Sequence, residues 1–114
     1  MASDNFYTDC PDLKFLMEKI VDWKTIIGLK EHIGDPDCPY STPEEAISTY
    51  LSMLEDPVGS LAAQRIAPRA VEVDDIGCQF KDGQVIFPEG LQRNLKDLRD
   101  AQLMGLTAPE MTAL

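Results

Sequence analysis

Apolar side chains recur at helical spacing along residues 47–66, and this pattern constrains the fold more than any other in the chain. The side chains on this shared face are Ile47, Tyr50, Leu51, Leu54, Val58, Leu61, Ala62 and Ile66. Pro57 interrupts the pattern, because an interior proline removes a backbone hydrogen bond and clashes with the preceding turn. We therefore expect a kink or a new helix start there with Asp56 as its N-cap, a second bend at Pro68, and an end near Gly77.

Two shorter helices are expected before this segment. The first begins after Asp9 as its N-cap and has Pro11 in its first turn. Its apolar stripe consists of Leu13, Leu16, Met17 and Ile20. The second runs from Trp23 to about Ile33 with Asp22 as its N-cap. Its buried side is predicted to consist of Trp23, Ile26, Ile27 and Ile33.

A loop follows these two helices at residues 34–43. It contains three prolines and a glycine, which exclude the interior of a helix or a strand. The loop ends in a helix-start signal, because Thr42 and Glu45 have the spacing of a capping box and Pro43 suits the first helical position.

Residues 78–87 are the only stretch with a strand-like pattern. Asp82-Gly83 in its middle favours a two-residue hairpin, because both residues tolerate positive φ. Pro88 opens a last helix that closes near Gly105, and its inward side chains are Leu91, Leu95 and Leu98. These elements predict a mostly all-α fold, a helical bundle of four to five helices with one short β-hairpin around residues 78–87.

Size and charge narrow the classes of partner. A chain of 114 residues fits a single domain. Ten basic residues against twenty acidic ones give a net charge of −10, which disfavours nucleic acid and anionic membranes as partners. No run approaches the ~20 apolar residues of a membrane span. The N-terminus has no secretory signal pattern, so we expect a cytoplasmic protein.

The cysteines and the single histidine do not form a metal-binding pattern. Cys10, Cys38 and Cys78 are an odd number without a C-x-x-C pair, so we expect three reduced packing residues. Zinc needs paired ligands, and His32 is the only histidine. His32 is either a general base or a side chain that satisfies carbonyls at a helix end, and we favour the second interpretation.

The two arginines at helical spacing are the remaining candidates for anion binding. Arg65 and Arg69 stand four residues apart and either clamp an anionic group or pair with Glu72 and nearby acids. We favour the pairing, because no third donor accompanies them.

The acidic pairs do not predict a catalytic dyad, because each lies at a helix end or on a polar face. These pairs are Glu44-Glu45, Glu55-Asp56 and Asp74-Asp75. Asp35-Pro36-Asp37 does not open an EF-hand loop, since Tyr40 and Ala46 stand where glycine and glutamate are required. The large side chains at helical spacing are interpreted as core, namely Trp23, Met17, Met53 and Met104. No catalytic, cofactor-binding or metal-ligating residue is predicted.

Four segments resemble the N-terminal region of the acyl-CoA dehydrogenases. Asn5-Phe-Tyr-Thr-Asp-Cys-Pro-Asp-Leu-Lys-Phe, with Val21-Asp-Trp, resembles the N-terminal extension of one bacterial group of that family. Ala63-Gln-Arg-Ile-Ala-Pro-Arg-Ala, followed by Val73-Asp, is similar to the E-x-I-A-P-R-A signature of its first core helix. Phe80-Lys-Asp-Gly-Gln-Val-Ile-Phe-Pro-Glu-Gly-Leu follows, and Leu98-Arg-Asp-Ala-Gln-Leu-Met-Gly-Leu-Thr-Ala-Pro-Glu resembles L-x-x-x-G-L-x-G-L-x-x-P-E.

The resemblance covers about residues 5–110 and implies a helical fragment of an enzyme of fatty acid metabolism. Residues 1–40 would be the N-terminal extension and residues 41–114 the start of the helical N-terminal domain, treated as one folded unit. The family uses FAD to oxidise acyl-CoA to 2,3-enoyl-CoA and passes electrons to an electron-transfer flavoprotein. Its flavin contacts, acyl groove and catalytic glutamate lie downstream of Leu114, so this chain alone is expected to be structural and non-catalytic.

The sequence departs from the family pattern in two places. Gln102 stands where the family has glycine, and Met111-Thr-Ala-Leu stands where the family continues with Tyr-Gly-Gly. A truncated N-terminal piece predicts apolar surface left uncovered where the downstream domains would pack, and hence either packing with those domains or self-association as a symmetric dimer. The alternative is a free-standing helical protein-interaction or oligomerisation module. A small enzyme or carrier would instead require a cleft that joins His32 or Cys78 to polar groups.

Overall fold

The computed structural model describes residues 3–105, of which 62% are helical. The helices are α1 (Pro11–Phe15) with a π-helical continuation (Leu16–Ile20), α2 (Trp23–Lys30), α3 (Pro43–Met53) with a π-helical continuation (Leu54–Gly59), a π-helical turn (Ala62–Ile66) with a 3-10 turn (Ala67–Arg69), α4 (Ala70–Ile76) and α5 (Glu89–Asp100). Strands β1 (Gln79–Lys81) and β2 (Gln84–Ile86) pair antiparallel. The prediction of a mostly helical fold with one hairpin is confirmed.

The chain divides after Ser60 into two compact units, called here the first and the second unit. A boundary after residue 40, between an N-terminal extension and the start of a helical domain, stays a prediction of the family resemblance. Helices α2 and α3, which lie on either side of residue 40, pack together within the first unit.

Two helix starts in the first unit form as their sequences predict. The Asp22 carboxylate accepts a hydrogen bond from the Thr25 amide at 3.2 Å, which caps α2. Thr42 Oγ1 accepts from the Glu45 amide at 3.2 Å, with Pro43 as the first residue of α3. Glu45 Oε2 accepts from the Ser41 amide at 2.8 Å, so the reciprocal half of the capping box closes one residue before the cap.

Two predicted helix boundaries in the first unit are wrong. The N-cap of α1 is Cys10, because Asp9 Oδ2 instead accepts hydrogen bonds from Ser3 Oγ and from the amides of Asp4 and Asn5 at 2.9–3.1 Å. Helix α2 ends at Lys30 and not near residue 33, because the next residue is extended, with φ −99° and ψ 127°.

The interruption predicted at Pro57 is confirmed. Asp56 is extended, with φ −142° and ψ 121°, in the middle of an otherwise helical path. Its carboxylate accepts from Ser60 Oγ at 2.7 Å, a side-chain contact across the first turn after the kink. The Asp56–Pro57 peptide bond is cis.

In the second unit, the helical path tightens into a 3-10 turn at Pro68 and stops at the glycine that the sequence indicates. Helix α4 ends at Ile76, and its C-cap Gly77 has a φ of 62°, in the left-handed region. The hairpin pairs Phe80 with Val85, and its turn residues Asp82 and Gly83 have φ of 53° and 76°. Both φ values match the two-residue turn that the sequence predicts.

Helix α5 ends at Asp100, so the predicted end near Gly105 is wrong. Gln102 takes the left-handed conformation with φ 57°. The Leu103 amide donates to Leu98 O at 3.0 Å and the Gln102 amide to Arg99 O at 2.9 Å, which is the paired bonding of a Schellman motif. Gln102 therefore occupies the position at which glycine is favoured, the same position at which the resembled family carries glycine.

Few apolar side chains are fully covered. Among the described residues, the buried apolar side chains are Tyr7, Ile27, Ala46 and Ala63. Four of the side chains expected to be buried are exposed, namely Leu16, Ile20, Ile26 and Met104, while Met17, Met53 and Trp23 are half-buried. The core prediction is wrong for the exposed ones, because periodicity defines an apolar face without supplying a surface that covers it.

Candidate interaction surfaces

The candidate catalytic and metal-binding residues do not come together. His32 is exposed just beyond the end of α2. All three cysteines are free thiols, with Cys10 and Cys38 half-buried and Cys78 exposed, so Cys78 is not a packing residue. Within residues 3–105, no three His, Cys, Asp or Glu side chains lie close enough to hold a metal ion. None of the helices formed by those same residues is sufficiently long and apolar to cross a bilayer.

The segment before α1 is fastened to the chain around the Asp56 kink by Asn5. Asn5 Nδ2 donates to Glu55 O at 2.8 Å, and Asn5 Oδ1 accepts from the amides of Tyr7 and Thr8 at 2.9 and 3.0 Å. The amide of Phe6 donates to Gly59 O at 3.1 Å. These bonds satisfy backbone groups on both sides, so Asn5 acts as a clip between two segments 50 residues apart.

Gly59 leaves the space that this clip needs. A Cβ at position 59 would lie 2.2 Å from Asn5 Oδ1 and 2.9 Å from the Leu54 carbonyl oxygen. A larger residue would therefore displace the amide oxygen that accepts two hydrogen bonds. Beside the clip, Tyr7 is buried and donates to Glu18 Oε1 at 3.4 Å. Burial and the Glu18 carboxylate raise the pKa of Tyr7, so it stays a donor.

A cluster of aromatic rings joins α2, the following loop and α3. The Trp23 and Tyr50 rings meet edge to face at 6.1 Å between centroids, and Tyr40 and Tyr50 do so at 6.4 Å. The Tyr50 hydroxyl donates to Glu31, and burial together with this hydrogen bond raises the pKa of Tyr50. Tyr50 therefore remains protonated and positions the two helices, and it does not supply a phenolate nucleophile.

A cleft of about 400 Å³ opens beside this cluster. Its lining residues are Lys24, Ile27, Gly28, Glu31, Ile33, Pro43 and Glu44. Glu31 is already bonded to Tyr50, and neither His32 nor Cys78 lines the cleft. The cleft contains no pairing of a nucleophile with a base, which an enzyme of the kind considered above would need.

In the second unit, the Arg69 side chain reaches from the 3-10 turn to helix α5. Its Nη1 donates to Asn94 Oδ1 at 2.9 Å and to Asp97 Oδ2 at 2.7 Å, both on α5. The hydrogen bond from Arg69 lowers the pKa of Asp97, and the charges of Arg69 and Arg65 add to the effect. The favoured pairing of Arg69 with an acidic residue is present, but the partner is Asp97 of α5 and not Glu72. Since Arg69 is used in this way, it is not available as half of an anion clamp.

Gly90 permits the close approach of α4 and α5. A Cβ at position 90 would lie 2.6 Å from Val73 Cγ2 and 3.6 Å from Arg69 Cβ. The helices therefore meet at Gly90, and the ion pair of Arg69 with Asp97 holds the same two segments further along α5.

Large apolar side chains are exposed in both units. In the first unit they are Phe6, Phe15, Leu16, Ile20, Ile26 and Leu29. In the second unit they are Val71, Ile76, Phe80, Val85, Ile86, Phe87 and Met104. Single exposed apolar residues are ordinary, whereas a contiguous exposed apolar patch is typical of a surface that binds other protein.

The hairpin carries the best-defined of these surfaces. Phe80 and Val85 are directly opposed across the two strands, so their side chains share one side of the hairpin, called here the hairpin face. Phe80 is 77% exposed and Val85 60% exposed. Every residue of β1 and β2 is exposed, so neither side of the hairpin is covered by the described part of its unit.

Sequence reasoning missed the clip and the contacts between helices. Asn5, the partner pair Glu31 and Tyr50, and the acceptor Asp97 carry no local pattern, because their partners lie 19 to 50 residues away. No sequence pattern near Asp56-Pro57 points to Asn5, because Asn5 and its partner Glu55 lie 50 residues apart in the chain.

Comparison with known proteins returned no match for this chain, whether against protein-family models, curated proteins or solved structures.

Proposed function

We propose that this chain is the N-terminal helical part of an FAD-dependent acyl-CoA dehydrogenase and that its role is structural. Its surface would pack against further protein, while oxidation of acyl-CoA to 2,3-enoyl-CoA and transfer of electrons to an electron-transfer flavoprotein belong to the parent enzyme. The single observation that carries a structural role is the exposure of thirteen large apolar side chains against four buried apolar ones in the described residues.

The roles of the motif residues support the same proposal. Asn5 of the first motif fastens the N-terminal segment, and Arg69 of the second motif pairs with α5. Gly90 of the third permits the close approach of α4 and α5. Residues at which the chain resembles the family thus hold its fold, and none of them forms a catalytic pair.

The experiment that tests the family assignment is to read the encoding DNA beyond the codon for Leu114 in all three frames. We expect a continuation into Tyr-Gly-Gly and further family-like codons, and the product of that reading frame should convert acyl-CoA to enoyl-CoA. A stop codon with no family-like sequence in any frame would overturn the proposal and favour a free-standing helical protein-interaction or oligomerisation module.

The structural role of the 114-residue chain is tested separately. After the chain is mixed with FAD and passed over a gel-filtration column, the protein peak should carry no flavin absorbance. Coelution of flavin with the chain would contradict the claim that this part is non-catalytic and without a cofactor.

A further inference from the structure

Residues 3–9 precede α1 and are bonded to one another, and they are called here the N-terminal strap. Asp9 Oδ2 accepts hydrogen bonds from the amides of Asp4 and Asn5 at 3.0 and 3.1 Å. The Asp9 amide in turn donates to Asn5 O at 3.0 Å. Because these contacts lie within the strap, its residues hold their arrangement relative to one another and move as a unit.

The strap is bonded to the chain on both sides of the kink at Asp56. Asn5 Nδ2 donates at 2.8 Å to Glu55 O, which precedes the kink. The Phe6 amide donates at 3.1 Å to Gly59 O, which follows the kink. Asp56 is extended, with φ −142° and ψ 121°, so the helical path is interrupted between these two carbonyl groups. The docked strap therefore restricts the angle at which the chain bends there.

Few covered side chains secure this end of the chain. Tyr7 is 4% exposed, whereas its neighbour Phe6 is 44% exposed. Helix α1 and its π-helical continuation, which follow the strap, contain no buried residue. Helices α2 and α3, in contrast, enclose Ile27 and Ala46, both of which are 0% exposed. Since segments with few buried apolar contacts open at a lower free energy than packed helices, we expect the strap to open before α2 and α3 unfold.

We propose that the N-terminal strap is a conformational device of the first unit: it opens locally while the helices stay folded, and its opening releases the kink at Asp56. The hydrogen bonds of Asn5 and Phe6 to the kink and the burial of Tyr7 are then lost together. Two backbone carbonyl oxygens beside the kink become accessible in the open form. This inference goes beyond the proposed function and does not depend on it, because every contact that it uses lies within residues 3–60.

Amide hydrogen exchange on the full 114-residue chain, followed residue by residue by NMR, tests the proposal. The Phe6 amide reports on the strap, and the Ser60 amide, which donates to Glu55 O and Pro57 O, reports on the kink. In the parent, both amides should exchange faster than the interior amides of α3 and α5. Asn5→Ala should accelerate exchange at both positions by about tenfold or more, because the hydrogen bond to Glu55 O is lost.

A conservative variant separates the bond to the kink from the turn within the strap. Asn5→Asp keeps an oxygen that accepts from the amides of Tyr7 and Thr8, but it removes the donor to Glu55 O. Exchange at Ser60 should therefore accelerate as it does in Asn5→Ala. The Tyr7 and Thr8 amides should exchange more slowly in Asn5→Asp than in Asn5→Ala, because their acceptor is still present.

The matched control removes a side-chain amide of the same kind from the second unit. Asn94 Oδ1 accepts from Arg69, and Asn94→Ala should leave exchange at Phe6 and Ser60 within about twofold of the parent. The proposal is overturned if Asn5→Ala leaves Ser60 unchanged, since the kink would then not depend on the strap. It is also overturned if Asn5→Ala accelerates the α3 and α5 amides as much as Phe6, since the chain would then open only as a whole. A Phe6 amide that exchanges in the parent as slowly as the slowest helix amides would exclude local opening and would have the same consequence.

Discussion

Each of the two units is stabilised internally by a different kind of contact. In the first unit, side chains satisfy backbone groups: Asn5 fastens an N-terminal segment, and Asp22 and Thr42 cap helices. In the second unit, two helices meet through Gly90 and through the ion pair of Arg69 with Asp97. The difference teaches that a unit with few buried apolar side chains can be ordered either by polar contacts to its own backbone or by close approach of helices.

The largest expected effect comes from a substitution that disrupts the Asn5 contacts of the first unit. Gly59→Ala should destabilise the chain by about 2–4 kcal/mol, because the new Cβ meets a backbone carbonyl and displaces the Asn5 amide from two hydrogen bonds. Urea denaturation followed by far-UV circular dichroism measures the change. Gly28→Ala is the matched control, since a Cβ there meets nothing within 4 Å and should stabilise α2 by up to about 1 kcal/mol. Equal stability of Gly59→Ala and the parent would contradict the docked position of the N-terminal segment.

The second effect breaks the helix contact of the second unit. Gly90→Ala should cost about 1–3 kcal/mol, because its Cβ would lie 2.6 Å from Val73 Cγ2. The double variant with Val73→Ala should recover part of the loss, since it removes the side chain that clashes. A double-mutant cycle in urea denaturation gives the coupling. Strictly additive losses would mean that the two positions are not in contact.

A smaller effect sharpens the comparison at the end of α5. Gln102→Gly should stabilise the chain by about 0.5–1 kcal/mol, because a residue with a Cβ is disfavoured in the left-handed conformation. Gln102→Ala keeps the Cβ and should leave the thermal midpoint close to that of the parent. If both variants shifted the midpoint alike, the Schellman motif would not explain the gain.

The smallest effect concerns how the free energy of unfolding changes at acidic pH. The pKa of Asp97 is lowered from its ordinary 3.8 by the hydrogen bond from Arg69. The group therefore contributes stability that is complete above pH 3.8 and is lost as the pH falls through the lowered pKa. Asp97→Asn should flatten this part of the stability curve, and an NMR titration of the Asp97 carboxyl should show a midpoint below 3.8 in the parent.

If the titration midpoint of Asp97 rises in Arg69→Gln, the Arg69 guanidinium is the cause of the lowered pKa. The pKa values of Asp9 and Asp22 in the first unit are also lowered. The largest cause is a hydrogen bond from the Ser3 side chain for Asp9 and one from the Thr25 side chain for Asp22. Those two carboxyls should keep their low midpoints in Arg69→Gln, which makes them internal controls.

The sequence predicted the features whose partners lie within a few residues. Thr42 and Glu45, Asp22 with its helix, and Asp82-Gly83 each form through contacts of four residues or fewer, so their spacing carries the information. The partner of Arg69 lies 28 residues away and that of Asn5 lies 50 residues away, and no spacing rule connects them. Leu16 and Ile20 show the third case, in which periodicity correctly defines an apolar face but cannot say whether a second surface covers it.

The ring cluster of the first unit has a consequence for spectroscopy. Trp23 is the only tryptophan in the chain, and it lies against Tyr50 with its indole N–H bonded to Met17 O. Its fluorescence therefore reports unfolding of residues 3–60 alone, whereas far-UV circular dichroism reports helices of both units. Coincident transitions from the two signals would make the chain a single cooperative system, and separated ones would give each unit its own free energy of unfolding.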